Sequence, residues 1–294
     1  MYKHILLPLD GSTLAEQIIP FVRQIASADK AKVTLFSAIE PRPTRYGIEE
    51  PYVKEDRRAF EQYLQRTERS LTGQGLAVNT ELTLGAPADA IIDAVGRLKC
   101  DVVAMTTRGH AGIGRWIFGS VADKVLHLTS VPLLMVRPIK DAVAAAEPPI
   151  RRIVVPLDGS PLAEEVLPHT KALAQAVRAE IALFQVVPFQ TYAMAVAEAY
   201  TYDPSIDEEM VTWASEYLGK LQDSIQKQGL SATANVRRGD PAAAIIDFAK
   251  ASPGSLIVMS THGRSGVGRM VLGSVADRVI RQGGEPVLVL PSKR

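Results

Sequence analysis

With 294 residues, 47% of them hydrophobic and 22% charged, the chain is long enough for two ordinary domains, each with its own core. Thirty-three basic against thirty-two acidic residues give no general attraction for nucleic acid or an anionic membrane surface. No apolar run approaches the roughly 18 to 20 residues that span a bilayer, the N-terminal run is too short for a signal peptide, and Cys100, the sole cysteine, can form no internal disulfide. The expectation is a cytoplasmic protein in which Cys100 is a buried residue, without membrane or nucleic-acid partners.

In chain order, short apolar runs suited to buried strands fall at 4–9, 32–39, 76–84, 101–106 and 132–137. Segments of helical period separate them. In the first, Ala15, Ile18, Ile19, Val22, Ile25 and Ala26 line one face, whereas 40–56 is poorly patterned. The stretch "PIKDAVAAAEPP", rich in alanine and proline, reads as a linker, which sets domains at 1–138 and 150–294 with 139–149 between them. The strand and helix pattern then begins again, with another poorly patterned stretch at 188–210.

The second half repeats the first. "ILLPLDGSTLAEQIIP" at 5–20 matches "IVVPLDGSPLAEEVLP" at 153–168, and "LGAPADAIIDAV" at 84–95 matches "RGDPAAAIIDFA" at 238–249. The first pair is offset by 148 residues and the second by 154, so a net insertion of six residues lies between about Val187 and Arg238. Alternating strands and helices imply, in each half, a doubly wound, Rossmann-like parallel sheet of five strands with ligands at the strands' carboxyl ends.

Two motifs fall at such ends. "RGHAGIGRWIFGSVAD" at 108–123 returns as "HGRSGVGRMVLGSVAD" at 262–277, with nine of the fifteen positions from Gly109 to Asp123 identical to Gly263 to Asp277. Glycines without side chains let backbone amides turn inward as an anion nest, and a helix starting at Gly119-Ser120 or Gly273-Ser274 offers free amides and a positive dipole end to a phosphate chain. The plain alternative is a loop-to-helix junction in which Ser120 with Asp123, and Ser274 with Asp277, form capping boxes. The second motif, "PLDGS", places Asp10 and Asp158 beyond the first strand of each half. A carboxylate there suits a ribose hydroxyl or Mg²⁺ beside phosphates, or merely a turn that leads into a helix capped by Ser12, Thr13 or Ser160.

Other chemistry is not visible. The sequence has no GxxxxGK[ST], no GxGxxG after the first strand and no Gly-x-Ser-x-Gly. His4, His110, His127, His169 and His262 lack zinc-ligand spacing.

"PLDGS", the "GAP" or "GDP" turn and "THGRSGVGRMVLGSVADRVIRQGGEPVLVL" together resemble the universal stress protein family, as a tandem of two modules over nearly the whole chain. The resemblance implies the adenine nucleotide alpha hydrolase-like fold and an ATP-binding regulatory module for the stress response. The family's nucleotide motif is Gly-x2-Gly-x9-Gly followed by Ser or Thr. Gly109 with Gly119-Ser120 and Gly263 with Gly273-Ser274 match its latter part, while Thr106 and Ser260 replace its first glycine.

By the same resemblance, backbone at Ala38 and Val186 meets adenine, and Asp10 and Asp158 stand near ribose or Mg²⁺. Pro8, Pro156, Val121 and Val275 complete the candidate cofactor-binding set, with no catalytic residue. The resemblance further implies a pseudo-dimer in which "VPLLMV" and "EPVLVL", the last strands, pair the modules, and a downstream protein partner of unknown identity. The competing readings are a slow ATPase or nucleotidyl-transferring enzyme and a nucleotide-free scaffold.

Overall fold

The computed structural model describes residues 2–41, 43–44, 47–48, 50–108, 118–139, 149–188, 204–261 and 272–291. The first half runs β1 (His4–Pro8), α1 (Thr13–Glu16), α2 (Ile19–Asp29), β2 (Lys32–Ile39), β3 (Pro43–Thr44), β4 (Gly47–Ile48), α3 (Glu50–Thr72), β5 (Ala77–Leu84), α4 (Pro87–Leu98), β6 (Val102–Thr106), α5 (Ser120–Leu128) and β7 (Leu133–Val136). The second runs β8 (Arg152–Pro156), α6 (Pro161–Glu164), α7 (Leu167–Val177), β9 (Glu180–Val187), α8 (Pro204–Gln226), β10 (Ala232–Arg238), α9 (Pro241–Lys250), β11 (Ser255–Ser260), α10 (Ser274–Gln282) and β12 (Val287–Leu290). The chain divides into two units, Met1–Glu147 and Pro148–Arg294.

Within the first unit the five long strands are ordered β7-β6-β1-β2-β5, every pairing parallel. The second unit is ordered β10-β9-β8-β11-β12, again all parallel. The apolar runs require this arrangement. Ile5, Leu6 and Leu7 in β1 and Ile153, Val154 and Val155 in β8 are buried without alternation, as in a sheet covered on both faces. Winding proceeds outward in both directions from β1 and from β8. A crevice therefore opens at the carboxyl ends of β1 and β6, and of β8 and β11, where neighbouring crossovers leave on opposite faces.

Two sequence expectations change. The first helical segment is two helices, because Pro20 at the start of α2 lacks an amide proton and its ring would clash with the carbonyl four residues back. The break turns the face, so that Phe21 is buried where Ile19 is only half-buried. The stretches 50–56 and 204–210, poorly patterned in apolar residues, belong to α3 and α8. There Pro51 and Pro204 sit in the first turn, the one place where a helix tolerates proline.

The structure also narrows the insertion. The ends of β2 and β9, Ile39 and Val187, differ by 148 residues, while the starts of α3 and α8, Glu50 and Pro204, differ by 154. The six extra residues thus lie within 188–203. Residues 189–203 lie outside the described residues, as does most of the linker.

Candidate nucleotide site

Each site is built at the ends of three strands and the start of one helix. In the second unit Pro156 and Asp158 lie at the end of β8, Val186 near the end of β9 and Ser260 at the end of β11, with Gly273, Ser274 and Val275 at the start of α10. All seven line one cavity of about 300 Å³. Its apolar walls include Phe184, Ile245 and Met259, and Phe184 is held in place by a stacked contact with Phe248, ring centroids 4.3 Å apart. Gly263 lies outside the described residues. In the first unit Pro8, Asp10, Ala38, Thr106, Gly119, Ser120 and Val121 occupy the corresponding strand ends and helix start, and Gly109 is outside the described residues.

The helix starts are not capping boxes. Gly119 and Gly273 are themselves the N-cap residues and provide no side-chain bond, so Ser120 and Ser274 stand one position inside the helix. This overturns the capping alternative, because a capping serine must precede the first helical residue to reach forward to the third amide. The first amide satisfied by the helix itself is that of Asp123, which donates to the Gly119 carbonyl at 2.9 Å, with Asp277 and Gly273 repeating the bond at 2.9 Å. Among the described residues no acceptor takes the amides of Ser120, Val121 and Ala122, or of Ser274, Val275 and Ala276. Three such donors at a positive dipole end are what a helix start can offer to an anion.

The cap glycines serve a close approach rather than an unusual dihedral. Gly119 has φ −67° and Gly273 φ −60°, which any residue can adopt. The Gly119 amide donates to the Thr107 carbonyl at 2.9 Å, and the Gly273 amide to that of Thr261 at 2.8 Å. A Cβ on Gly119 would stand 3.1 Å from the Thr107 oxygen. The strand end and helix start are thereby clamped together across the glycine loop.

Asp10 and Asp158 do two things at once. The Asp10 Oδ1 accepts from the Ser12 amide at 3.0 Å and from its hydroxyl at 2.6 Å; Asp158 does the same with Ser160 at 2.9 and 2.6 Å. The oriented hydroxyls then cap α1 and α6 by accepting from Ala15 at 3.1 Å and Ala163 at 3.2 Å. Gly11 and Gly159, at φ +80° and +82°, make the turn between carboxylate and cap. The helix-capping reading of these residues therefore holds, with Ser12 rather than Thr13 as the cap. The carboxylate that orients the cap also faces the cavity in the second unit, so structure and ligand binding are compatible roles.

Strand parity settles where the backbone of Ala38 and Val186 points. The Phe36 carbonyl accepts from Leu9 at 2.8 Å on the β1 side, while the Ile39 carbonyl accepts from Gly85 at 2.9 Å on the β5 side. Ala38 has the parity of Phe36, and it lies past the last β1 pairing, Pro8 with Phe36. In the second unit Phe184 bonds Leu157 at 2.8 Å and Val187 bonds Gly239 at 3.0 Å. Val186 likewise turns its amide and carbonyl toward the space beyond β8, where the ladder has ended.

The two residues at the missing first glycine differ. The Thr106 hydroxyl is buried and donates to the Arg108 carbonyl, which shapes the start of the glycine loop. Ser260 is half-buried and lines the cavity.

Gln185 and Trp213 also line the cavity and were not singled out from the sequence. The signal for Gln185 was a polar residue inside the apolar run "IALFQVV"; for Trp213 it was a ring where the repeat has Ala59. Trp213 stacks on Tyr217 with centroids 5.4 Å apart, and the Tyr217 hydroxyl donates to Glu164 Oε1 at 2.9 Å. Among the described residues no group of three or more His, Cys, Asp or Glu could hold a metal ion, and no helix is long and apolar enough to cross a membrane.

The model of the universal stress protein family matches this chain twice, over residues 1–137 and 149–291. A universal stress protein of Mycolicibacterium smegmatis is 27% identical over 97% of this chain and 96% of its own length. One from Methanocaldococcus jannaschii is 34% identical over 48% of this chain and 81% of its own length. Among solved structures, a universal stress protein from Archaeoglobus fulgidus superposes with a TM-score of 0.74, covering 98% of each chain at 21% identity.

Proposed function

Because the chain belongs to the universal stress protein family, with one module in each half, we propose that each module binds an adenine nucleotide, ATP with Mg²⁺, and that binding rather than turnover is the activity it offers to a downstream partner in the cytoplasm. The observation that carries the reading is the uncapped start of α5 and of α10, three amides each without an acceptor among the described residues. Phosphate oxygens satisfy such donors and the helix dipole favours their charge.

The remaining parts suit the rest of the ligand. Val186, and Ala38 in the first module, would present one donor and one acceptor to the adenine edge. The apolar walls of the second module's cavity give the ring a dry seat. Asp10 and Asp158 each bring a carboxylate to the strand end, and an ionised carboxylate accepts at about four lone-pair sites. A single carboxylate is what Mg²⁺ needs from a protein when phosphates and water supply the other ligands.

Thermal melting with different nucleotides tests the reading. Mg·ATP at a hundred times its dissociation constant should add about 2.7 kcal/mol of stability. AMP should add much less, since it has no distal phosphates, and GTP should fall below ATP. Equal shifts from ATP and AMP would contradict phosphate binding at the helix start, and no shift from ATP would contradict the reading altogether.

A further inference from the structure

An aromatic ring changes place between the modules. Helices α3 and α8 start and end 154 residues apart, so Ala59 and Phe60 correspond to Trp213 and Ala214. In the first module Ala59 is exposed, and Phe60 Cε1 stands 3.8 Å from where a Cβ on Gly11 would be, in the turn after Asp10. In the second, the fully buried Ala214 replaces the Phe60 ring, and the aromatic residue sits one position earlier. One position is about 100° around a helix, and there Trp213 forms part of the cavity wall.

The indole is 48% exposed, yet it is braced. It lies parallel to the Tyr217 ring, with centroids 5.4 Å apart and 3° between the planes. The Tyr217 hydroxyl donates to Glu164 Oε1 at 2.9 Å. Glu164 follows Ala163, another cavity residue, whose amide donates to the Ser160 hydroxyl that Asp158 orients. Contacts thus run from the indole through α8 and α6 back to the carboxylate at the strand end, which sets the wall before a ligand arrives. Ile245 of α9 lines the same cavity. Because α8 leads outward to β10 and α9 leads back to β11, right-handed crossovers put these helices on opposite faces of the sheet. A flat group entering at the strand ends therefore has an apolar side chain available on each face.

We infer that Trp213 sets the affinity of the second module: the nucleobase lies against its indole, and this site is tighter than that of the first module, where Ala59 takes the same place. The inference rests on the nucleotide reading above. Val186, whose backbone would meet the edge of the base, lines the cavity together with Trp213, so a base bonded there by its edge keeps its faces for apolar walls. Removing the aromatic partner from one such stack weakens binding by about tenfold or more. Every base has a π-face, so Trp213 raises affinity without choosing among purines.

Calorimetry of the full chain with Mg·ATP tests the inference. The unaltered protein should bind two nucleotides with affinities about tenfold or more apart. Trp213→Leu, which keeps an apolar side chain but no ring, should weaken the tighter site by about the same factor and leave the other unchanged. Trp213→Phe keeps a ring and should lose no more than about threefold. Ligand-free melting should barely move in either variant, since the indole is half in water. The triphosphate of 2-aminopurine riboside gives a signal that a purely structural role would not, because stacking on an indole quenches the emission of its base. That quench should accompany binding at the tighter site and be lost in Trp213→Leu.

Two equal sites in the unaltered protein, unchanged affinity in Trp213→Leu, or equal losses in the Phe and Leu variants would each overturn the inference and leave the nucleotide reading standing. Absence of any ATP binding to the unaltered chain would remove both.

Discussion

The two modules share a backbone design and differ in the side chains placed on it. Strand ends, the Asp-to-Ser cap relay and the clamped helix start recur almost bond for bond, with Asp10 and Asp158 each bonding the serine hydroxyl at 2.6 Å. Where side chains are free to vary they do. Gln185 stands for Ser37, Trp213 for Ala59, Ser260 for Thr106, Asp240 for Ala86 and Arg152 for His4. The comparison teaches that backbone amides and carbonyls form the part of the site common to both, and that side chains set what distinguishes them.

The largest difference to break lies away from the site. Gly254, before β11, has φ +81°, and a Cβ there would overlap the Pro149 carbonyl oxygen. Its counterpart by the repeat is Cys100, a buried side chain that the first module accommodates. Gly254→Ala should therefore destabilise the second module by about 3 kcal/mol, through backbone strain and overlap together. Cys100→Ala should cost the first module only about 1 kcal/mol. Denaturant unfolding followed by hydrogen exchange, module by module, measures both. Similar losses would mean that the two junctions are equivalent after all.

The His4 and Arg152 pair sharpens the comparison through pH. His4 is held below the ordinary histidine range, first by burial and then by nearby Lys32. Its ring lies between Thr34 Oγ1 at 2.7 Å and the Leu98 carbonyl at 3.1 Å. A folded value below the unfolded one means that the unfolded chain takes up more protons. The stability His4 contributes is full above the unfolded value of about 6.5 and is lost as pH falls through it toward the lowered folded value. In the second module that place is taken by Arg152, bonded to Glu180 at 3.2 Å and Ser252 at 2.6 Å. Between pH 7 and 5 the first module should lose protection against hydrogen exchange before the second does. Replacing His4 with Gln should flatten the difference, and an unaltered slope in His4→Gln would assign the effect elsewhere.

How much of this was legible in the sequence depended on periodicity and repetition. Strands of uninterrupted apolar residues stood out, and duplication marked both glycine loops and both aspartates. What local pattern concealed were effects with non-local causes. Pro20 splits a face that reads as one helix, and Gly119 rather than Ser120 caps α5 because Thr107, on the neighbouring strand end, takes its amide. Gln185 reads as an ordinary polar residue until its burial is seen together with the lack, among the described residues, of a partner for its Oε1.

The smallest expected effect concerns the "GAP" and "GDP" turns. Asp240 caps α9 by accepting from Ala243 at 2.9 Å and also meets Arg278 of α10 at 2.7 Å, whereas Ala86 gives α4 no side-chain cap. The Arg278 bond and the Ala243 amide hold the Asp240 carboxyl below its ordinary range. Asp240→Ala should cost about 1 kcal/mol and Ala86→Asp should gain up to as much, read from melting temperatures. A change of the same sign in both would show that the caps do not set this difference.

The common part of the site is tested most directly by charge at the two helix starts. Ser120 and Ser274 are exposed, first helical residues, where a glutamate complements the dipole and adds a few tenths of a kcal/mol to the free protein. The same carboxylate stands where phosphate oxygens would meet the amides. Calorimetry of Ser120→Glu, Ser274→Glu and the double variant should show each single change removing about one ATP per chain and the double removing both, with ligand-free melting unchanged or raised. A double variant that still binds two ATP with undiminished affinity would contradict nucleotide binding at the helix starts.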